Sequence, residues 1–461
     1  MDEDAFRARI RAAEARFAEG DPRGALDDLE DVRGSARLRS RVWAEAMADI
    51  AVILHAAGNL PDAYAHARHA LAAAPGFDEA RETMEICAAS LGLRAERPRA
   101  DRILLVVDHF TPSRGGTELL AHDLALELTA LGHPVEMLCR PHPERAPGGA
   151  GTPVHEAPPE LAERALARLL ASERFAAVIG ISGPLGFPVL GLLRQPHLLA
   201  GVRSLIVPCV NEEFDSTLRG APAFLRDYAR MLFRVDAVGY SSHGGWDRRL
   251  LDDLGVPGVY LPNAVPQVEA SGSIRDLIGA AADAAVILHV ANLWPQKNHL
   301  AFLEELRASP GDWRLVCIGG PSEDHPQLAH AVAIAAARDP RVALLGPRTR
   351  EEVAGAMRDA DLLVLPSIAE ATPLVLLEAM SHGLPWIVSD TCESASDLAG
   401  GRIVAHGGFA AAIAALLADP RARAALGAAG RSAYASGYSW QSVAPRYLAA
   451  ISPTEALSQA A

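Results

Sequence analysis

The chain of 461 residues has few cysteines, few aromatic residues and no long apolar run. No stretch reaches the about 18 apolar residues of a membrane-spanning helix, and the charged first 17 residues lack the apolar core of a signal peptide. The cysteines lie far apart without a CxxC spacing, which indicates neither a disulfide framework nor a zinc site. We therefore expect a cytoplasmic protein without a transmembrane segment, in which these five are small buried residues: Cys87, Cys139, Cys209, Cys317 and Cys392.

Basic residues are outnumbered by acidic ones. Lys and Arg total 43 against 57 Asp and Glu, a formal net charge of −14. The negative electrostatic field of such a protein argues against nucleic acid as the main partner. The hydrophobic fraction of 50% and the length instead predict large packed cores, in roughly three domains.

Residues 1–97 carry no strand signal and predict a helical module. Within it Gly58, Ala63, Ala70 and Pro75 have the spacing of a tetratricopeptide (TPR) repeat, and the module resembles that family of paired antiparallel helices. Glycine permits the tight turn, and proline ends the second helix. A plain helical bundle is the alternative interpretation.

Beyond this module, short apolar runs alternate with helical stretches, a pattern typical of parallel sheets. We predict an α/β fold with two Rossmann-like domains at residues 101–266 and 283–433, facing a cleft. A last helix at 434–452 is predicted to cross back to the first of them. Ligands of such sheets bind at the carboxyl ends of the strands. The predicted strands are Ile103–Val107, Val135–Leu138, Ala177–Ile181, Ser204–Val207, Ala237–Tyr240, Val259–Leu261, Val286–Val290, Leu315–Ile318, Val342–Leu345, Leu362–Leu365 and Trp386–Val388.

The segment Pro366–Pro385 (PSIAEATPLVLLEAMSHGLP) contains two acidic residues beside a predicted helix. We expect Thr372 as its N-cap, Pro373 as its first residue and Gly383 at its end. Glu378 interrupts the apolar run LVLLEAM, and a carboxylate in such a helix needs a partner or a task. Glu370 precedes the helix. The free N–H groups at the helix start, including those of Leu374 and Val375, would suit a diphosphate.

The two acids, with seven residues between them, PS before Glu370 and EAMxxGxP beginning at Glu378, resemble the motif of the family 4 retaining glycosyltransferases (glycosyl transferases group 1) of GT-B fold. ILHVANLWPQKNH is similar to the family's GRLxxxKG, with Lys297 at the Lys and Asn292 where the family has Arg. Gly115 and Gly116 in PSRGGTE follow the first strand, where glycines let the backbone approach the donor phosphates. The likeness extends over residues 101–451.

The resemblance implies a nucleotide-diphosphate sugar as donor and no metal or other cofactor. Glu378 would hold the ribose hydroxyls and Glu370 the transferred sugar, while Lys297 would neutralise the leaving diphosphate and Asn292 would line the donor site. A carboxylate suits a vicinal diol, and an ammonium group suits developing phosphate charge. The resemblance also implies retention of the anomeric configuration.

Two further places depart from the family pattern. Asn211 and Glu212 stand near a place where members often carry His, and TCESAS at 391–396 replaces a Gly-Gly…Glu turn. Together with His109, Asn211 and Glu212 are candidates for the acceptor side. Arg114 is a candidate for the charge that Asn292 lacks.

The function therefore has alternatives. The leading hypothesis is a glycosyltransferase whose acceptor is a protein recruited by the helical module. A polysaccharide or lipid-linked saccharide is the alternative acceptor. The rival hypothesis is a catalytically idle GT-B scaffold that binds proteins.

Overall fold

The structure is a computed structural model in which the chain forms two compact units. The first comprises Met1–Ser241, Trp246–Leu261 and Ala444–Ala461; the second comprises Ser242–Gly245 and Pro262–Val443. The residues that the structure describes are 3–92, 102–110, 115–145, 151–172, 175–183, 186, 191–192, 202–210, 212–281, 283–322 and 324–452.

The first unit begins with five helices that pack in sequence, as predicted for residues 1–97. Gly58 has a positive φ of 76° in the turn after the third helix, while Ala63 and Ala70 are fully buried in the fourth. These positions fit the repeat spacing, and membership of the TPR family stays a prediction. The helices are α1 (Glu3–Ala18), α2 (Pro22–Ser35), α3 (Arg41–Ala56), α4 (Leu60–Ala73) and α5 (Asp78–Ser90).

A seven-stranded parallel sheet forms the rest of the first unit. Its order is β3-β2-β1-β4-β5-β6-β7, so the chain reverses its direction across the sheet between β1 and β4. The strands are β1 (Arg102–Val107), β2 (Val135–Cys139), β3 (Val154–Glu156), β4 (Phe175–Ile181), β5 (Arg203–Val207), β6 (Ala237–Tyr240) and β7 (Gly258–Tyr260). The connecting helices described are α6 (Gly116–Ala130), α7 (Pro159–Ala171), α8 (Glu212–Arg219), α9 (Pro222–Leu232) and α10 (Trp246–Asp253).

The five helices and the first sheet share one hydrophobic core. Phe233, which follows α9 and is 1% exposed, is its clearest link. Its ring lies 6.2 Å from that of Trp43 and 5.0 Å from that of His66, and the Arg33 guanidinium lies 4.9 Å above it. Arg234 beside it forms a bidentate ion pair with the buried Asp62 of α4. The module is therefore fixed to the first sheet by apolar burial and by paired charges.

The second unit contains a six-stranded parallel sheet of order β10-β9-β8-β11-β12-β13. Its strands are β8 (Ala285–Val290), β9 (Trp313–Ile318), β10 (Val342–Gly346), β11 (Leu362–Leu365), β12 (Trp386–Ser389) and β13 (Gly401–Val404). Its helices are α11 (Ile274–Leu277), α12 (His299–Arg307), α13 (Pro326–Ala336), α14 (Arg350–Asp359), α15 (Leu374–His382), α16 (Phe409–Leu417) and α17 (Pro420–Ala433). The last helix of the described chain is α18 (Trp440–Ala450).

All eleven predicted strands are present, and two further strands, β3 and β13, were missed. Both lie at an edge of their sheet, and both are partly exposed. Within the described ranges, no helix has the length and apolarity to cross a membrane. The cytoplasmic location stays a prediction.

Candidate active site

The second sheet reverses its strand order between β8 and β11, since β9 and β10 continue on one side of β8 and β11 lies on the other. In open parallel sheets the ligand crevice lies at the carboxyl ends of the strands on either side of such a reversal. The loop after β8 carries Lys297, and the loop after β11 carries Glu370. The structure brings these two predicted residues together at this point.

Lys297 and Glu370 form an ion pair in which the Lys297 Nζ donates to Glu370 Oε1. Ser367 Oγ donates to the same oxygen at 2.7 Å. The Glu370 side chain is 10% exposed, so the pair is poorly screened by water. Because both donors bind Oε1, and no other described residue donates to this carboxylate, Oε2 is the oxygen left for a substrate hydroxyl.

The Lys297 loop is held in place by a residue with a left-handed backbone conformation and by hydrogen bonds to the loop after β11. Lys297 ends a short 3₁₀ turn, and Asn298 after it has a φ of 58°, a conformation that Asn adopts more readily than most residues. Asn298 Nδ2 donates to the carbonyl of Pro366 at 3.2 Å. The Ile368 N–H donates to the Gln296 carbonyl at 2.8 Å. The two loops are thereby tied on both sides of the ion pair.

Three predicted donor-binding residues share the accessible face of α15. Leu374, Val375 and Glu378 are partly exposed, whereas Leu376 and Leu377 are buried. Spacings of three and four residues place side chains on one face of a helix. A helix also leaves its first N–H groups without partners inside the helix, here those of Leu374 and Val375. The accessible face of α15 therefore combines backbone donors with the Glu378 carboxylate.

The predicted start of α15 is wrong by one residue. Pro373, with an extended ψ of 117°, is the N-cap, and its carbonyl accepts from the Leu376 N–H at 3.2 Å; Thr372 precedes the cap. The reason is a contact absent from the sequence pattern, because Asn263 Nδ2 donates to the Thr372 carbonyl at 3.1 Å and holds the chain extended there. The predicted end is confirmed: Gly383 is the C-cap, with a φ of 67°.

Asn292 is exposed at the end of β8 and connects two loops. Its Oδ1 accepts from the Gly320 N–H at 3.1 Å. Gly319 has a φ of 157°, and a Cβ there would lie 2.0 Å from the Ala291 carbonyl oxygen, so only glycine allows this close approach. Asn292 therefore organises the edge of the site. Arg114, the candidate for the missing positive charge, lies outside the described residues.

The turn after β12 supports the Glu370 loop through hydroxyl groups. The Ser367 carbonyl accepts from Ser389 Oγ and from Thr391 Oγ1, the latter at 2.8 Å. Glu370 also forms a β-bridge with Cys392. Burial raises the pKa of the Cys392 thiol to about 11, so it stays protonated at neutral pH. Sequence reasoning missed these contacts.

Two histidines near the Lys297 loop are neutral. His289 in β8 and His299 at the start of α12 have ring centroids 4.5 Å apart, and His289 Nδ1 lies 2.9 Å from the Val364 carbonyl. Burial lowers the pKa of His289 to about 4 and that of His299 to about 2. The positive charge here at neutral pH therefore belongs to Lys297 and not to these imidazoles.

The first sheet provides less of the predicted site. Gly115 is the N-cap of α6 and Gly116 its first residue, as expected for glycines after the first strand. His109 is exposed in the loop after β1. Asn211 lies outside the described residues, as does the side chain of Glu212, which begins α8. Their predicted place on the acceptor side stays a prediction.

A polar network that sequence reasoning missed lies where the first sheet reverses its order. Asp108 follows β1, Arg140 follows β2 and Ser182 follows β4. The Asp108 carboxylate accepts from Arg140 at 3.1 Å through Oδ1 and from Ser182 Oγ through Oδ2. The sequence did contain a signal for this network, because each of the three residues is the polar residue directly after a buried strand. The network ties three loops at the carboxyl edge of this sheet.

Metal ligands are the remaining element of a possible site. In the described part of the chain, no three His, Cys, Asp or Glu side chains are grouped as a metal site. That the reaction needs no metal stays a prediction.

Two parallel sheets in series, each with its polar network at the reversal of strand order, define a protein of GT-B fold. Residues 284–419, which contain both Glu370 and Lys297, match the family "Glycosyl transferases group 1". The part of the chain that contains the second sheet is therefore similar to this family.

Curated relatives match a part of the chain of similar length. D-inositol 3-phosphate glycosyltransferase of Mycobacteroides abscessus is 32% identical over 140 residues, which are 30% of this chain and 31% of the relative. UDP-Gal:alpha-D-GlcNAc-diphosphoundecaprenol alpha-1,3-galactosyltransferase of Escherichia coli is 32% identical over 139 residues, 29% of this chain and 35% of the relative. The chain thus spans about a third of the length of each of these relatives.

Solved structures extend the likeness of fold to most of the chain. Sucrose-phosphate synthase of Thermosynechococcus elongatus has a TM-score of 0.62 at 18% identity and covers 76% of this chain and 97% of its own. Anabaena HepE in complex with UDP has a TM-score of 0.62 at 16% identity and covers 75% of this chain and 98% of its own. At such identities the comparison establishes the fold, which is the predicted GT-B architecture.

Proposed function

We propose that the protein is a glycosyltransferase that uses a nucleotide-diphosphate sugar. The observation that carries the proposal is the Lys297–Glu370 ion pair at the strand reversal of the second sheet, in the part of the chain that is similar to the glycosyl transferases group 1 family. Desolvating two charges costs free energy, and donor binding gives this partly buried pair a function that the idle-scaffold hypothesis does not give it.

Each part of the nucleotide sugar has a partner residue near the carboxyl ends of the strands of the second sheet. The Glu378 carboxylate accepts hydrogen bonds from the two ribose hydroxyls, and the N–H groups that begin α15 bind the diphosphate. Lys297 neutralises the charge that develops on the diphosphate, and Glu370 Oε2 accepts from a hydroxyl of the transferred sugar. Lys297 thus has to share its ammonium group between Glu370 and the diphosphate.

The proposed reaction moves one glycosyl group. The bond between the sugar C1 and the diphosphate oxygen breaks, and a bond from C1 to the acceptor oxygen forms. The acceptor hydroxyl loses its proton, and the products are a glycoside and a nucleoside diphosphate. We infer retention of the anomeric configuration from the family resemblance alone.

The acceptor we propose is a protein bound by the helical module. A groove of about 320 Å³ on this module is lined by apolar residues such as Ile10 and Phe77 and by an excess of acidic side chains. Burial, together with the carboxylates of Glu14 and Glu79, raises the pKa of Asp49 in this groove to about 7. These features favour a peptide with basic and apolar residues, and binding it would raise its effective concentration at the first sheet.

A saccharide acceptor is the alternative, since the Escherichia coli relative is named for a diphosphoundecaprenol-linked sugar. A double variant that reverses two charges in the groove, Glu14→Lys with Glu79→Lys, distinguishes a protein acceptor from a saccharide acceptor. A protein acceptor predicts slower glycosylation of that acceptor with unchanged donor hydrolysis, and a saccharide acceptor predicts no change in either rate.

A screen of nucleotide sugars tests the proposed function. Full-length protein is incubated with UDP-, GDP-, ADP- and dTDP-sugars, and release of the nucleoside diphosphate is measured. We expect slow hydrolysis of at least one donor, and a strongly reduced but measurable rate in Glu370→Gln. NMR of the released sugar, before mutarotation, reports whether the configuration is retained. If no donor is hydrolysed and no nucleoside diphosphate binds, the idle-scaffold hypothesis holds instead.

A further inference from the structure

Glu370 is oriented in part by Ser367, a residue with no place among the proposed donor contacts, and Ser367 in turn contacts Thr391 of the turn that departs from the family pattern. Its Oε1 accepts from Ser367 Oγ at 2.7 Å and from Lys297 Nζ, so the position of residue 367 sets the direction of Oε2. Ser367 is itself fully buried. Any shift of the Ser367 backbone would therefore move the carboxylate.

The Ser367 carbonyl is fixed from the neighbouring strand. It accepts two hydrogen bonds at once, from Ser389 Oγ at the end of β12 and from Thr391 Oγ1 at 2.8 Å, and these two hydroxyls lie 2.9 Å from each other. Ser389 is fully buried, whereas Thr391 is exposed. A carbonyl with both lone pairs engaged is held in direction as well as in distance.

We propose that Ser389 and Thr391 are positioning residues, which act through Ser367 to aim Glu370 Oε2 at the transferred sugar. The inference rests on the proposed function. Misplacing a reacting group by about 1 Å costs on the order of 100-fold in rate. Since two hydroxyls share one carbonyl, we expect a loss of about tenfold in kcat for one removed hydroxyl and on the order of 100-fold for both.

The variant Thr391→Val tests this role, because it keeps the shape of the side chain and removes only the hydroxyl. The position is exposed, so the fold should survive. We expect kcat for donor hydrolysis to fall about tenfold, with KM for the donor and affinity for the nucleoside diphosphate nearly unchanged. Thr391→Ser restores the hydroxyl and should restore kcat.

Two controls separate positioning from a loss of stability. Thr349→Val removes another threonine hydroxyl of the same unit, the N-cap of α14, which accepts from the Glu352 N–H at 3.2 Å. We expect it to lower Tm and to leave kcat unchanged. In a Glu370→Gln background, adding Thr391→Val should change the residual rate little, because a residue that acts through Glu370 loses its effect when that carboxylate is gone.

The outcomes distinguish the two proposals. If wild-type protein hydrolyses a donor and Thr391→Val does so equally fast, the positioning role is wrong and the proposed function stands. The same holds if Thr391→Val lowers kcat only in proportion to a loss of folded protein, or if Thr391→Ser fails to restore it. A wild-type chain that neither binds nor hydrolyses any donor overturns the proposed function and the positioning role together.

Discussion

At the scale of single residues, the site depends on how one ammonium group is shared. Lys297 Nζ is bound to Glu370 Oε1 by a partly buried ion pair. A diphosphate placed at the start of α15 would compete with Glu370 for the same group. The two residues should therefore have opposite effects on nucleotide affinity although both are needed for turnover.

We predict that Lys297→Met weakens binding of the nucleoside diphosphate by about ten- to a hundred-fold, since a lost charge-assisted contact costs about 1.5–3 kcal/mol. Glu370→Gln should leave that affinity unchanged or raise it, because the ammonium group is released toward the phosphates, while turnover falls. Calorimetry measures both affinities. Glu304→Gln, which removes a carboxylate paired with Arg307 on α12, is the matched control. Weaker binding in Glu370→Gln, or unchanged binding in Lys297→Met, would contradict this assignment.

The sequence was informative about some of these residues and not about others. Lys297, Glu370 and Glu378 stand in motifs of distinctive spacing, so they could be found without the structure. Ser367, Ser389 and Thr391 could not, because small hydroxyl residues are common in loops and their bonds join positions 22 and 24 residues apart. Thr372 was predicted as the N-cap from its residue type, and the bond from Asn263 to its carbonyl is a long-range contact that the local sequence does not reveal.

At the scale of helices and strands, apolar periodicity predicted every strand that is buried in the middle of a sheet. It missed the edge strands β3 (VHE) and β13 (GRIV), because polar residues interrupt their apolar residues, whereas the edge strands β7 and β10 have apolar runs and were predicted. The sequence likewise predicted a helical module at residues 1–97 but not the contact of Phe233 with Trp43 and His66, which joins distant parts of the chain.

The contact between the helical module and the first sheet can be tested at Phe233. Phe233→Ala removes a ring that is 1% exposed and leaves a cavity, which typically costs about 3–5 kcal/mol. We expect a lower denaturation midpoint and faster proteolysis of the segment between α5 and β1. Phe77→Ala is the control, because this ring lies in the groove of the module and is partly exposed. Equal stability of the two variants would show that Phe233 does not anchor the module.

At the scale of the whole molecule, buried histidines in both units predict a loss of stability in acid. Burial lowers the pKa of His66 to about 4, of His69 to about 3 and of His289 to about 4. In the unfolded chain these groups titrate near 6.5. Below about pH 6.5 the unfolded state therefore binds protons that the folded state does not, and each histidine lowers the free energy of unfolding by up to about 1.4 kcal/mol per pH unit.

Asp49 changes the free energy of unfolding with pH in the direction opposite to that of the histidines. Its folded pKa is raised to about 7, so it retains a proton that an unfolded Asp releases above about pH 3.9, and its contribution to stability is lost as the pH rises through 7. We predict that Tm is lower at pH 5.0 than at pH 7.5, and that Asp49→Asn makes this difference larger. A Tm that does not fall at pH 5.0 in Asp49→Asn would mean that the buried histidines do not control acid stability.

The central claim is that the donor binds at the strand reversal of the second sheet, between the Lys297 loop and α15. A crystal structure of the protein with the nucleoside diphosphate released from its donor tests this most directly. We predict the Glu378 carboxylate within hydrogen-bond distance of the ribose hydroxyls, the diphosphate at the N–H groups of Leu374 and Val375, and Lys297 Nζ against a phosphate oxygen. A nucleotide bound elsewhere, with the Lys297–Glu370 pair untouched, would contradict the account.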